Sequence, residues 1–270
     1  MKMKAEKKKL GIIGGMGSRA GANFLQRAID LCPAVRDQEF IEILLHSNSS
    51  IPDRTRAIVY GEASPMPELL RSVEMMNTWG ADYIVLTCNT SYYYGERLEA
   101  ASRGEILSPI PLLTRHVKES GFRKIGLLAT TGTLRASIFQ QAIAGHDLEL
   151  ITLDNHDQET LFMRSVYMDG GLKSSEIKHE AYSLMHQSAR KLLQAGAEVI
   201  IGGCSEVSLG MAGHTLPVPY TDTMDLLAKE VISKCYQDNH SGHEFQNTGS
   251  VSKINSQNRI FSNHQNEYQR

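Results

Sequence analysis

The chain has 270 residues, 41% hydrophobic and 21% charged, a composition that fits a folded globular protein of one or two domains with a sizeable core. Lys and Arg number 28 against 30 Asp and Glu, a net charge of −2, so no global positive field recruits nucleic acid, and no apolar run approaches a membrane span. A local site must carry the function. Cys32, Cys88, Cys204 and Cys235 lie far apart without a C-x-x-C pair, which excludes a zinc ribbon or a small disulfide scaffold and reads as thiols in a reducing compartment. The Lys-rich start is followed only by Leu10–Ile13 before a glycine turn, too short for a signal-peptide core, so the expectation is a cytoplasmic protein.

In chain order, Lys9 opens a short buried strand, a turn Gly14-Gly15-Met16-Gly17, and a helix running through Ala28. A second strand, about Phe40–Leu45, ends in His46-Ser47-Asn48 and leads to the loop Pro52-Asp53-Arg54-Thr55. An amphipathic helix over Pro67–Thr78 precedes the apolar run that ends at Cys88. The pattern then repeats. Lys124-Ile125-Gly126-Leu127-Leu128 with Ala129–Thr133 matches the opening strand and turn, Gly11 falling on Gly126 and Gly17 on Gly132 at an offset of 115. A helix over Ile177–Gln194 and the run from Gly196 to Cys204 match the helix and strand before Cys88 at an offset of 116, and Pro109-Ile110-Pro111 and Pro217-Val218-Pro219 are read as closing the two halves.

Matched landmarks that keep one offset over about a hundred residues indicate an internal duplication. Apolar strands alternating with amphipathic helices predict an α/β fold: two similar domains, each a parallel sheet flanked by helices, related by pseudo-two-fold symmetry with the active site in the cleft between them. The expected N-terminal half is 8–114 plus 223–236, the C-terminal half 115–222, and the Asn-, Gln-, Ser- and His-rich stretch 237–270 a disordered polar tail.

Two cysteines at the carboxyl ends of matched strands would face one cleft, and a pair of opposed thiols suits removal of a proton from one face of a carbon and delivery of a proton to the other. Small hydroxyl residues after each cysteine suggest helix starts, where thiolate is favoured. Cys32 and Cys235 read as packing residues. The turns at 14–17 and 129–133 offer backbone N–H groups to an anion, with hydroxyls from Thr130, Thr131 and Thr133. Gly15-Met16-Gly17-Ser18-Arg19-Ala20-Gly21 is a poor dinucleotide fingerprint, because no acidic residue ends the next strand and the second copy lacks the glycines. Arg54 reads either as a fork for a carboxylate or as a solvated loop arginine, Lys173 is equally ambiguous, and Glu206 is either a polar cleft residue or a cap. The histidines show no metal-ligand spacing, so no metal is expected.

Gly14-Gly15-Met16-Gly17, Ile51-Pro52-Asp53-Arg54-Thr55, Cys88-Asn89-Thr90 and Gly203-Cys204-Ser205-Glu206, in this order, resemble the aspartate/glutamate racemase superfamily, specifically its aspartate racemase branch, over about residues 8–236. The resemblance implies racemisation of L- and D-aspartate, or glutamate, without pyridoxal phosphate or another cofactor. Cys88 and Cys204 would be the two bases. Met16, Gly17, Asn89, Thr90, Thr131, Thr133 and Ser205 would hold the α-carboxylate and amino group, Arg54 the distal carboxylate, and Lys173 would match a family lysine. It also implies a homodimer whose only other partner is a small acidic amino acid. Tyr92 stands where the family usually has His, and tyrosine carries no charge at neutral pH. Gly202 and Ser18 replace a usual Leu and Pro and are expected to be tolerated. The rival readings are a Cys-dependent isomerase or lyase of the same superfamily acting on another dicarboxylate or a hydantoin, and a non-catalytic carboxylate binder.

Overall fold

The computed structural model describes residues 7–144 and 146–237. Apart from Gln237, the stretch expected to form a polar tail lies outside the described residues. The first half runs β1 (Lys9–Gly14), α1 (Ser18–Leu31), β2 (Glu42–Ser47), α2 (Arg54–Tyr60), α3 (Met66–Trp79), β3 (Tyr83–Leu86), α4 (Gly95–Ala101), β4 (Glu105–Leu107) and α5 (Pro109–Ser120). The second runs β5 (Lys124–Leu128), α6 (Thr131–Arg135), α7 (Ile138–Ile143), β6 (Glu149–Ile151), α8 (Asn155–Asp157), a π-helical turn Gln158–Met163, α9 (Arg164–Tyr167), α10 (His179–Gln194), β7 (Val199–Gly202), α11 (Ser205–Gly210), β8 (Tyr220–Asp222) and α12 (Thr223–Gln237). Among the described residues no helix is long and apolar enough to cross a membrane.

Two four-stranded sheets result, ordered β2-β1-β3-β4 and β6-β5-β7-β8, and every strand pair in both is parallel. The duplicated α/β reading therefore holds in topology as well as in sequence. It also holds in packing. A Cβ added to Gly11 would lie 2.6 Å from Met76 Sδ and 3.3 Å from Ala81 Cβ, and one added to Gly126 would meet Ala197 Cβ at 2.8 Å and Leu192 Cβ at 3.1 Å. The same helix-to-strand contact, α3 on β1 and α10 on β5, thus excludes a side chain at the same place twice. Gly80 and Gly196, which end α3 and follow α10, have φ of 78° and 94°, a region glycine enters without steric penalty.

The strands alternate between two apolar faces, as a sheet covered on both sides requires. Leu10, Ile12 and Val85 pack with Phe24 and Ala28 of α1, while Ile13, Ile84 and Leu86 pack with Leu69, Val73 and Met76 of α3. In the second sheet Leu128 and Ile200 face Met185 and Ala189 of α10. The terminal helices cross over. Leu113 and Val117 of α5 pack with Ile125, Leu127, Val199 and Ile201 of the second sheet, and Leu227, Val231 and Ile232 of α12 pack with Leu10, Ile12 and Val85 of the first.

One sequence alignment fails. The two Pro-x-Pro segments are not equivalent: Pro109 begins α5, where a missing N–H is harmless, whereas Pro219 precedes β8 and gives its carbonyl to Ile200 N–H at 3.0 Å. The true counterparts are β4 and β8, which restore the offset of 115. Gly202 makes room for a neighbour, since a Cβ there would lie 2.5 Å from the Tyr220 hydroxyl.

Candidate active site

Cys88 and Cys204 follow β3 and β7, the matched strands beside β1 and β5, and share an extended backbone, with φ/ψ of −147°/111° and −142°/139°. Cys88 precedes a 3-10 segment, Asn89–Tyr94, and Cys204 precedes the short α11. Their exposures are 7% and 6%, so neither is an open surface thiol. No disulfide joins any of the four cysteines, and Cys235 is fully buried in the core, as its packing reading requires.

The surroundings of the two sulfurs differ in charge. Cys204 Sγ donates to Glu206 Oε2 at 2.9 Å, Ser205 Oγ donates to the same oxygen at 3.2 Å, and Lys173 Nζ donates to Oε1 at 2.9 Å. Burial, reinforced by the Glu206 carboxylate, pushes the Cys204 thiol well above its ordinary range. At Glu206 burial alone would raise the carboxyl, but Lys173 and the Cys204 hydrogen bond overcome it and hold the group below the usual range. Lys173 keeps 22% of its side chain exposed, so Glu206, at 3%, is the buried partner of this pair. Burial lowers the Lys173 ammonium, but the Glu206 carboxylate outweighs it and leaves the group above its ordinary value. Lys173 and Cys204 thus share one carboxylate, on its two oxygens.

Local structure aims Lys173 there. Gly170 takes a φ of 74°, and Leu172, completely buried, donates its N–H to Ser165 O, which turns the next side chain off the core. Its ammonium crosses to the first half and donates to Met16 O at 3.2 Å. The β1–α1 turn is held in place to receive it: Gly15, at φ 86°, could carry no Cβ, which would lie 2.3 Å from the Asn48 carbonyl carbon, and Met16 is packed in the core of the first half. Gly17 lies against the same carboxylate, with a hypothetical Cβ 3.2 Å from Glu206 Oε1.

A second cation, Arg54, meets the same Met16 carbonyl. The residue is 5% exposed, and its guanidinium donates from Nη2 to Met16 O at 2.8 Å and from Nη1 to Pro52 O at 2.9 Å, with a longer contact to Ile51 O. Burial opposes its charge, but Cys88 and Asp53 outweigh burial and raise its pKa. Arg54 is thus no solvated loop arginine. Asp53 caps α2 by accepting from Arg56 N–H and also accepts from the Tyr167 hydroxyl at 2.8 Å, while the Tyr167 ring faces Lys173 Nζ at 5.4 Å.

Other predicted residues sort by where their polar atoms go. Asn89 Nδ2 donates to Thr223 Oγ1 at 2.8 Å, which donates to Gly202 O at 2.7 Å, while Asn89 Oδ1 is buried without a protein partner. The Thr90, Thr130 and Thr133 hydroxyls form a closed triangle of 2.8–3.0 Å contacts across the two halves. Thr131 is turned elsewhere: its hydroxyl donates to Glu159 Oε1 at 2.6 Å and its N–H to Met163 Sδ. Tyr92 is tied into the first sheet, donating to Leu107 O at 2.8 Å and accepting from Leu86 N–H at 3.2 Å, and burial drives its phenol far above its ordinary pKa. Its hydroxyl therefore braces β3 against β4. The central place of Glu206, and the Asp53–Tyr167 and Asn89–Thr223 contacts, were not read from the sequence. A carboxylate two residues after a strand-end cysteine was the one available signal.

Residues 13–231 match the family described as Asp/Glu/hydantoin racemase. A broad-specificity amino-acid racemase, RacX of Bacillus subtilis, is 22% identical over 228 residues, covering 83% of this chain and 96% of that protein. An uncharacterized protein of Pectobacterium carotovorum is 35% identical over 137 residues, 50% of this chain and 88% of its own length. In fold, the aspartate racemase of Picrophilus torridus superposes with a TM-score of 0.76 at 24% identity, covering 85% of this chain and 94% of that one. With the family match spanning both sheets and both strand-end cysteines, the chain belongs to the Asp/Glu/hydantoin racemase family.

Proposed function

We propose that this protein interconverts the enantiomers of an acidic amino acid, aspartate or glutamate, using Cys88 and Cys204 as opposed acid and base and no pyridoxal phosphate. The observation that carries the reading is the placement of two buried cysteines on matched strand ends. One thiolate takes the Cα proton, leaving its electron pair on Cα, and the other thiol protonates the opposite face. Arg54 supports an acidic substrate because its Nε–H is buried without a protein partner, on the guanidinium edge that best matches a carboxylate. Asn89 Oδ1 supports the same reading as an acceptor for the substrate ammonium. We place the activity in the cytoplasm and expect a homodimer.

A second reading, broad amino-acid specificity, is favoured by the backbone carbonyls of Met16, Pro52 and Ile51, which already engage much of the Arg54 guanidinium. Proton NMR of Cα signals in D₂O separates the two. Loss of the aspartate or glutamate signal at least about tenfold faster than neutral amino acids fits a carboxylate fork at Arg54. Equal loss across the panel selects the broad reading, and no loss on any amino acid refutes racemisation. Cys88→Ser and Cys204→Ser should each lower exchange with inversion by about 10²–10⁴-fold.

A further inference from the structure

Cys204 lies against a buried carboxylate, its Sγ donating to Glu206 Oε2 at 2.9 Å. We propose that Glu206 is a positioning residue that holds the resting proton on Cys204, so that the enzyme waits in one protonation form, with Cys204 as its standing proton donor and Cys88 as the base. This deepens the racemase reading and rests on it. The geometry carries it: Glu206 is buried, its Oε2 accepts from both Cys204 Sγ and Ser205 Oγ, and its Oε1 is held by Lys173. A carboxylate that already receives a cation and a hydroxyl remains the charged acceptor, and the group left to supply a proton to it is the thiol. The other titratable groups that bear on Cys204 are Lys173, Tyr167 and Tyr220.

The proton balance gives a kinetic consequence. From the resting form, Cys88 takes the Cα proton and the Cys204 S–H bond breaks to protonate the other face. The enzyme then holds a Cys88 thiol and a Cys204 thiolate against the Glu206 carboxylate, two anions where a hydrogen bond of 2.9 Å had been. That form is disfavoured and returns by taking a proton from solvent at Cys204 and losing one at Cys88. The substrate enantiomer that needs Cys204 as base binds only this minor form, so its apparent KM rises by the inverse of the minor fraction. Mirror-image molecules have equal free energy, so kcat/KM must be equal in both directions, and the enantiomer with the higher KM must also show the higher kcat.

The test measures each cysteine directly, on the full chain and without substrate. Iodoacetamide labelling rates are read per cysteine by peptide mass mapping from pH 6 to 10, in the wild type, Glu206→Gln and Lys173→Met, with circular dichroism as a check on folding. Cys88 and Cys204 are equally buried, which makes Cys88 the internal reference. Removing the Glu206 charge should speed Cys204 labelling at pH 7 at least tenfold, a shift of one unit or more in its profile, with Cys88 changed much less. Lys173→Met should slow Cys204 labelling, the opposite sign, and decides the matter if Glu206→Gln does not fold. An unmoved Cys204 profile in folded Glu206→Gln, or faster Cys204 labelling in Lys173→Met, overturns the assignment. In the wild type the KM values of the two enantiomers should differ and should converge in Glu206→Gln; equal wild-type KM values overturn the single resting form. If labelling behaves as expected while no amino acid exchanges its Cα proton, the proton assignment stands and the racemase reading falls.

Discussion

Gly132→Ala tests the close approach on which the site depends. A methyl carbon there would lie 2.7 Å from Thr55 Cα and 2.7 Å from Thr55 Oγ1, and the backbone contact has no rotamer to relieve it. Reaching an ordinary separation near 3.4–3.5 Å requires α6 to move off α2 by about 0.7 Å, since carbon contacts are optimal only at about 3.5–4.0 Å. Thr133, the next residue, would move with it and stretch its 2.8 Å contact to Thr90. Overpacking of this kind costs about 1–3 kcal/mol and a weakened hydrogen bond about 0.5–1.5 kcal/mol, so a loss of roughly 2–4 kcal/mol is expected. For a protein of this size that lowers Tm by about 4–16 °C, and a displacement of this order at the reacting groups would lower kcat by up to about 10²-fold. Thermal circular dichroism and the D₂O exchange assay measure both. Gly95→Ala is the control, because Gly95 begins α4 at φ −51° with nothing within 4 Å of an added Cβ, so it should be neutral or stabilising by up to about 1 kcal/mol. Gly132→Ala with a wild-type Tm and rate would refute the steric argument.

Tyr92→Phe should destabilise by about 1–3 kcal/mol at pH 7, since Leu107 O and Leu86 N–H lose the hydroxyl that bridges them. Because the folded phenol titrates above its unfolded value of about 10, its contribution is whole below that pH and fades as pH rises through the folded value; the variant should therefore lose less stability in urea between pH 9 and 11, and an unchanged alkaline slope would count against the Tyr92 anchor. Glu206, held below its ordinary range, contributes stability that is present above the unfolded carboxylate pKa of about 4.3 and is lost as pH falls through the lower folded value. Glu206→Gln should accordingly flatten the acid limb of the urea midpoint between pH 5 and 3, whereas parallel limbs would show that the pairing adds no acid-side stability.

How much of this was legible in the sequence depends on whether the signal is local. A buried strand, a glycine turn and an amphipathic helix are written in adjacent residues, so the repeat from Lys9 to Cys88 and from Lys124 to Cys204 could be read directly, and the strands and helices lie close to where periodicity put them. The same locality put both cysteines at strand ends. Periodicity reports that a helix buries a face but not against what, and so the seating of α5 on the second sheet, and the mismatch of Pro109–Pro111 with Pro217–Pro219, emerged only in three dimensions. Polar partnerships were less legible still. Arg54 finds Met16 O across 38 residues and Lys173 finds the same oxygen across 157, while Thr131, one residue from the Thr130–Thr133–Thr90 triangle, turns to Glu159 instead. Residue types and spacing established which groups were available as donors and acceptors. Which donor meets which acceptor, and hence the meeting of Arg54 and Lys173 at Met16 O beside the carboxylate that holds Cys204, was decided by tertiary structure, because a hydrogen bond needs partners within about 3 Å, and only the packing of the two halves brings distant residues that close.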